Sequence, residues 1–167
     1  MQKSNFVLTT IVQLVINMGI LDNLEATLFP EEAGNGEIIQ DEIPFEIEER
    51  LNKEAISFLQ KLVERIDMKI IKGPFASYVD KPGNRGLTAI VMIETSHIAF
   101  HIWDEEDPGL MQFDLYTCGE LNLPSVLLAL GEEFKIISLD YNLFDREKGF
   151  VLEDSGHWPE EGSDYKI

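Results

Sequence analysis

One long amphipathic stripe sets the terms for this chain. Leu51, Ala55, Phe58, Leu59, Leu62, Val63 and Ile66 recur at helical spacing, and Glu48, Glu49, Lys53, Lys61 and Glu64 fill the positions between them. The pattern predicts a helix with one apolar face, and that face has to be covered by another element. What flanks the helix reads as strands. "LTAIVMIE", "HIAFHIW", "MQFDLYT" and "KIISLDYNLF" are apolar, rich in β-branched and aromatic residues, and too short for helices. "MKIIKG" reads as a short extended piece, and "KPGNRG", Lys81 to Gly86, as hairpin-turn chemistry, since no Lys-Ser/Thr follows it and no helix begins there.

The first apolar segment, "NFVLTTIVQLVINMGIL" from Asn5 to Leu21, is interrupted by Thr9, Thr10, Gln13 and Asn17. It is too short and too polar for a membrane span and lacks the basic start and small-residue cleavage site of a signal peptide. Its β-branched run predicts the first strand. "PSVLLALGEEF", Pro124 to Phe134, predicts a second helix with proline in its first turn. The order β-α-β-β-β-α-β with hairpin connections implies the α+β class: a two-layer α/β sandwich, an antiparallel sheet with helices on one face. Its 167 residues, 44% of them hydrophobic, suit one domain over 1–167. Residues 22–46, acidic and rich in Gly and Pro, read as a surface insertion, and 145–167 as an acidic tail.

Parity then locates a site. Ile98, Phe100 and Ile102 point to one side of their strand, Ala99, His101 and Trp103 to the other. In the next strand Met111, Phe113 and Leu115 oppose Gln112, Asp114, Tyr116 and Cys118. One side is therefore a core beneath helices. The other carries His101, Asp114 and the chain's one cysteine, Cys118, on a polar, aromatic-rimmed surface that invites a ligand or a partner.

Charge narrows the choice. Thirteen Lys and Arg against 31 Asp and Glu give a formal charge of -18, which argues against nucleic acid and is compatible with a small cationic substrate. A lone cysteine allows no internal disulfide and points to a reducing cytoplasm. His101 and Cys118 have no further ligands at suitable spacing, so no metal is expected, and an acyl-transfer Cys-His pair would need an orienting group that the sequence does not offer.

Taken together, "ETSHIAFHIWDE" (Glu94 to Glu105) and "FDLYTCGE" (Phe113 to Glu120) resemble the prokaryotic S-adenosylmethionine decarboxylases. The signature of that family runs Glu-Ser-His, a second His four residues on, Trp, then Asp-x-Phe/Tyr-Thr-Cys-Gly. The resemblance covers roughly 51–144. It implies a self-processing, pyruvoyl-dependent decarboxylase of S-adenosylmethionine serving spermidine and wider polyamine biosynthesis. By position, Ser96 is the pyruvoyl precursor and Schiff-base centre, and His101 the processing base. Cys118 is the proton donor, and Thr88, where the family carries a serine, is the processing hydroxyl. Cleavage falls between Thr95 and Ser96. The family has Glu where this chain has Thr95, but the step needs only the backbone carbonyl there. The resemblance also implies a homodimer of processed chains, with no separate cofactor besides the pyruvoyl group.

The chemistry accounts for these residue types. Decarboxylation of an amino acid leaves a carbanion that needs an electron sink, here a ketone made from the chain itself. Cys118 would then return a proton to the α-carbon as a general acid. The same sink serves arginine or ornithine, and a relative that keeps the fold without processing would act as a binding or regulatory subunit. Phe6, Phe75 and Tyr78 are the candidates for stacking on an adenine. His97 reads as structural at the strand start, Trp103 as a packing residue at the rim, and His157 as a surface residue.

Overall fold

The computed structural model describes residues 10–18, 45–147 and 149–158. Helix α1 (Phe45–Arg65) takes up the predicted stripe and starts a turn and a half earlier than Leu51, because Ile47 also turns inward. Glu46 and Glu48 in its first turn and Arg65 in its last complement the helix dipole. Helix α2 (Leu123–Glu133) begins where the Asn122 side chain accepts the Ser125 N–H at 3.1 Å, with Pro124 in the first turn, where its missing donor costs nothing.

Seven strands form one sheet: β1 (Thr10–Met18), β2 (Ile70–Val79), β3 (Gly86–Ile93), β4 (Ser96–Trp103), β5 (Gly109–Thr117), β6 (Ile136–Asp145) and β7 (Val151–Trp158). Their spatial order is β2-β3-β4-β5-β1-β6-β7, and every pairing is antiparallel. The architecture is the two-layer α+β sandwich. Three elements depart from expectation. β2 runs for 10 residues, well past "MKIIKG". The stretch read as an acidic tail contributes Asp145 to β6 and all of β7, while 159–167 lie outside the described residues. Of the expected insertion, 22–44 lie outside the described residues, and Phe45 and Glu46 belong to α1.

The core occupies the helix-covered face. Val12, Leu14 and Ile16 of β1, Ile98 and Phe100 of β4, and Met111, Phe113 and Leu115 of β5 meet α1 and α2 there. Phe58 of α1 packs edge-on against Phe100 at 5.9 Å and Phe134 at 5.0 Å, which ties both helices to the centre of the sheet. Arg65–Glu132 at 2.7 Å and Lys61–Glu133 at 3.6 Å join the helices at the surface. The opposite face is open, and its residues line up in rows across the strands. One row runs Ser77, Thr88, His101, Gln112, Val15, Asp140, His157. Phe75, Ile90, Met92 and Val15 are exposed apolar side chains on this face.

Candidate active site

The site is built at one end of the sheet, where β3 turns into β4. Ile93 and Ser96 are paired, so Glu94 and Thr95 form the whole connection. Such a tight hairpin demands unusual backbone angles, and here Ser96 takes them with φ of +153°. A non-glycine residue held there stores strain, at the peptide bond that joins Thr95 to Ser96.

β5 delivers the next groups. Ser96 pairs with Thr117, so Cys118 and Gly119 emerge beside Thr95. The Cys118 backbone N–H donates to the Thr95 carbonyl oxygen at 3.1 Å. Buried Thr117 accepts the Gly119 N–H on Oγ1 at 2.9 Å and so fixes that turn. Gly119 packs closely there, since a Cβ at its position would lie 3.2 Å from the Thr95 methyl carbon. The Cys118 thiol itself is free and exposed. Beside this corner opens a cleft of about 640 Å³ whose walls include Met68, Thr95 and Asn122 and the carboxylates of Asp67, Glu94 and Glu120.

Ser96 Oγ lies 3.2 Å from His97 Nδ1. The His97 ring stacks on Tyr116 with centroids 5.5 Å apart and planes within 14°. The guanidinium of Arg146 sits 4.5 Å from the Tyr116 ring centroid and 4.9 Å from that of Phe150. Sequence reading assigned His97 a structural part only, and its adjacency to Ser96 was the one signal available for more.

Thr88 and His101 form a second group. They face each other across β3 and β4, with Thr88 Oγ1 2.9 Å from His101 Nδ1. A smaller hollow of about 170 Å³ beside them is lined by Val79, Asn84, Gly86 and Trp103. A separate clamp lies just past the end of β4. Asp104 accepts Tyr78 Oη–H at 2.7 Å and Arg85 Nε–H at 3.0 Å. Burial, then the bond to Asp104, pushes the Tyr78 phenol well above its ordinary range. Gly86 closes the hairpin because a Cβ at that position would collide with the Ile102 carbonyl.

The structure therefore brings Ser96, Thr95 and Cys118 together, and Thr88 and His101 together, as two clusters. They lie five residues apart on one strand, about 16 Å at the usual rise of ~3.3 Å per residue, beyond the reach of an imidazole. Of the adenine-stacking candidates, Tyr78 is committed to the core and Asp104, Phe75 is exposed on the open face, and Phe6 lies outside the described residues. Among the described residues no set of three His, Cys, Asp or Glu is placed to hold a metal ion.

Sequence similarity points to the same family. The family model for S-adenosylmethionine decarboxylase matches residues 47–147. The S-adenosylmethionine decarboxylase proenzyme of Archaeoglobus fulgidus is 28% identical over 102 residues, which span 59% of this chain and 86% of that protein. The proenzymes of Pyrococcus horikoshii and Pyrococcus furiosus are each 42% identical over 45 residues, 27% of this chain and 31% of theirs. Among solved structures, the Trypanosoma brucei AdoMetDC-delta26 monomer superposes with a TM-score of 0.48 at 12% identity, covering 81% of this chain. This chain spans 45% of that trypanosomal chain's length.

Proposed function

This chain belongs to the S-adenosylmethionine decarboxylase family, and from that premise we propose that it cleaves itself between Thr95 and Ser96 and then decarboxylates S-adenosylmethionine. The observation that carries the reading is the geometry at the scissile bond. A strained Ser96 follows a carbonyl already polarised by the Cys118 N–H. Attack of Ser96 Oγ on the Thr95 carbonyl carbon closes a five-membered ring. The developing oxyanion stays on the Cys118 N–H, a preorganised donor of the kind that stabilises such charge. Breaking the carbon–nitrogen bond relieves the strain and leaves an ester. Removal of the Ser96 α-proton then eliminates the Thr95 carboxylate and splits the chain into 1–95 and 96–167. The dehydroalanine left on Ser96 tautomerises to an imine, and water hydrolyses it to a pyruvoyl group with loss of the Ser96 nitrogen as ammonia. That group supplies an electron sink for the carbanion left when carbon dioxide departs.

His101 is the base for α-proton removal by family resemblance, with Thr88 holding its Nδ1. Since His101 lies about 16 Å from Ser96 along β4, it serves the Ser96 of a second copy, and the functional unit is a homodimer of processed chains. The exposed Phe75, Ile90, Met92 and Val15 on the open face support pairing of that face with another copy. Cys118, exposed beside the scissile bond, returns the proton to the product carbon as a thiol. A free, exposed thiol in that role fits a reducing cytoplasm. The acidic rim of the cleft, Asp67, Glu94 and Glu120, suits a sulfonium cation, and the chain's charge of -18 favours its approach and disfavours nucleic acid. The product is decarboxylated S-adenosylmethionine for polyamine synthesis.

The test begins with intact mass. Purified protein is expected as two fragments, 1–95 and 96–167, the latter without a free amino end. Carbon dioxide release is then compared for S-adenosylmethionine, arginine and ornithine on one processed preparation, with release expected from the first. A chain that stays whole with Ser96 intact overturns the pyruvoyl reading, and release from arginine or ornithine alone overturns the substrate.

A further inference from the structure

We propose that His97 is the base that activates Ser96 for the first step of self-cleavage, an assignment that rests on the self-cleavage reading above. A serine hydroxyl is a weak nucleophile and needs a partner to take its proton. In this structure the group in place is His97 Nδ1, 3.2 Å from Ser96 Oγ. His101 is about 16 Å away on the same strand, and its Nδ1 is engaged by Thr88. With the ring hydrogen on Nε2, Nδ1 accepts the Ser96 hydroxyl.

The ring is held for that task. Its face stacks on Tyr116 of β5, and Tyr116 in turn lies under the Arg146 guanidinium from the turn after β6. Across the strand pair on β3 its neighbour is Met92, which is uncharged. The Arg146 guanidinium lies over the Tyr116 ring. A histidine that only filled space would be equally well served by another planar ring. This one turns a nitrogen to the nucleophile.

The step balances within the site. The Ser96 Oγ–H proton passes to His97 Nδ1 as Oγ forms a bond to the Thr95 carbonyl carbon. As the carbon–nitrogen bond breaks, that proton passes to the Ser96 nitrogen, which becomes the free amine of the ester. His97 ends neutral, and no oxidant, reductant or water is consumed. Two histidines then divide the processing: His97 acts on the hydroxyl proton and His101 on the α-proton.

The experiment follows cleavage in the full-length chain for wild type, His97→Phe and His97→Asn, with and without hydroxylamine. Hydroxylamine cuts an ester and leaves the amide. His97→Phe keeps a ring for Tyr116 and removes the base; His97→Asn keeps an acceptor without the basicity. Cleavage is expected to slow on the order of 10²-fold or more in both. Hydroxylamine should not restore it, because no ester has formed, and thermal unfolding should match wild type. In a third variant, His97→Ala, which leaves room for a small base, added imidazole should speed cleavage. Cleavage of His97→Phe or His97→Asn within a few-fold of wild type overturns the assignment. So does an ester trapped at wild-type rate in either, which would place His97 after the shift. Those results leave self-cleavage standing, whereas a wild-type chain that neither cleaves nor yields to hydroxylamine removes both.

Discussion

Co-expressing two inactive chains, Ser96→Ala and His101→Ala, tests how the processing site is assembled. Ser96 opens β4 and His101 stands five residues along it, paired to Thr88 on β3. At ~3.3 Å per residue the two are about 16 Å apart on a strand flanked by ladders on both sides, and no side-chain rotation closes that gap. If a second copy supplies His101, each mixed dimer has one site with both residues native and one with neither. Equal amounts of the two chains associating at random give mixed dimers in about half of the population. About half of the His101→Ala chains, or roughly a quarter of all chains, should then be cut. Different affinity tags on the two chains and intact mass give the fraction directly, and each chain alone should stay whole. A mixture that stays whole while wild type cleaves would refute assembly across two copies. Cleavage of the Ser96→Ala chain would refute the assignment of the nucleophile itself.

Three further outcomes follow from particular contacts. Cys118→Ala keeps the backbone N–H that donates to Thr95, so it should cleave normally while carbon dioxide release falls on the order of 10²–10⁴-fold, the usual weight of a general acid. Phe100→Ala empties a fully buried site against Phe58 and Phe134, and denaturant unfolding should show a loss of about 3–5 kcal/mol. Tyr78 gives a pH dependence: burial and Asp104 hold its phenol above the ordinary value of about 10. The unfolded phenol ionises first, so this group's contribution is complete below about pH 10 and is lost as pH rises beyond it. Melting temperatures taken from about pH 9 to about pH 11 should fall more steeply for wild type than for Tyr78→Phe, and parallel curves would show that burial and Asp104 do not hold the neutral form.

Local pattern was enough to foresee much of this protein. The stripe from Leu51 to Ile66 predicts α1 because a 3.6-residue period is a property of the segment alone. The alternation in β4 and β5 predicts which side of each strand is core, for the same reason. The spacing from Ser96 through His101 to Cys118 was likewise enough to suggest the family, since the motif lies within two neighbouring strands. Other features belong to the tertiary structure. β1 sits between β5 and β6, joined to partners roughly 90 to 135 residues away, a pairing no window of sequence contains. β7 lies mostly exposed, with none of its residues buried; backbone bonding to β6 makes it a strand. Tyr78 is apolar enough to stack on a base and also to enter a core, and the position of Asp104 decided between them. At the site, sequence order puts Ser96 and His101 into one motif, yet a strand carries residues five apart too far from each other to meet. The tight turn at Thr95, which only pairing of Ile93 with Ser96 imposes, strains Ser96 and sets its hydroxyl against His97.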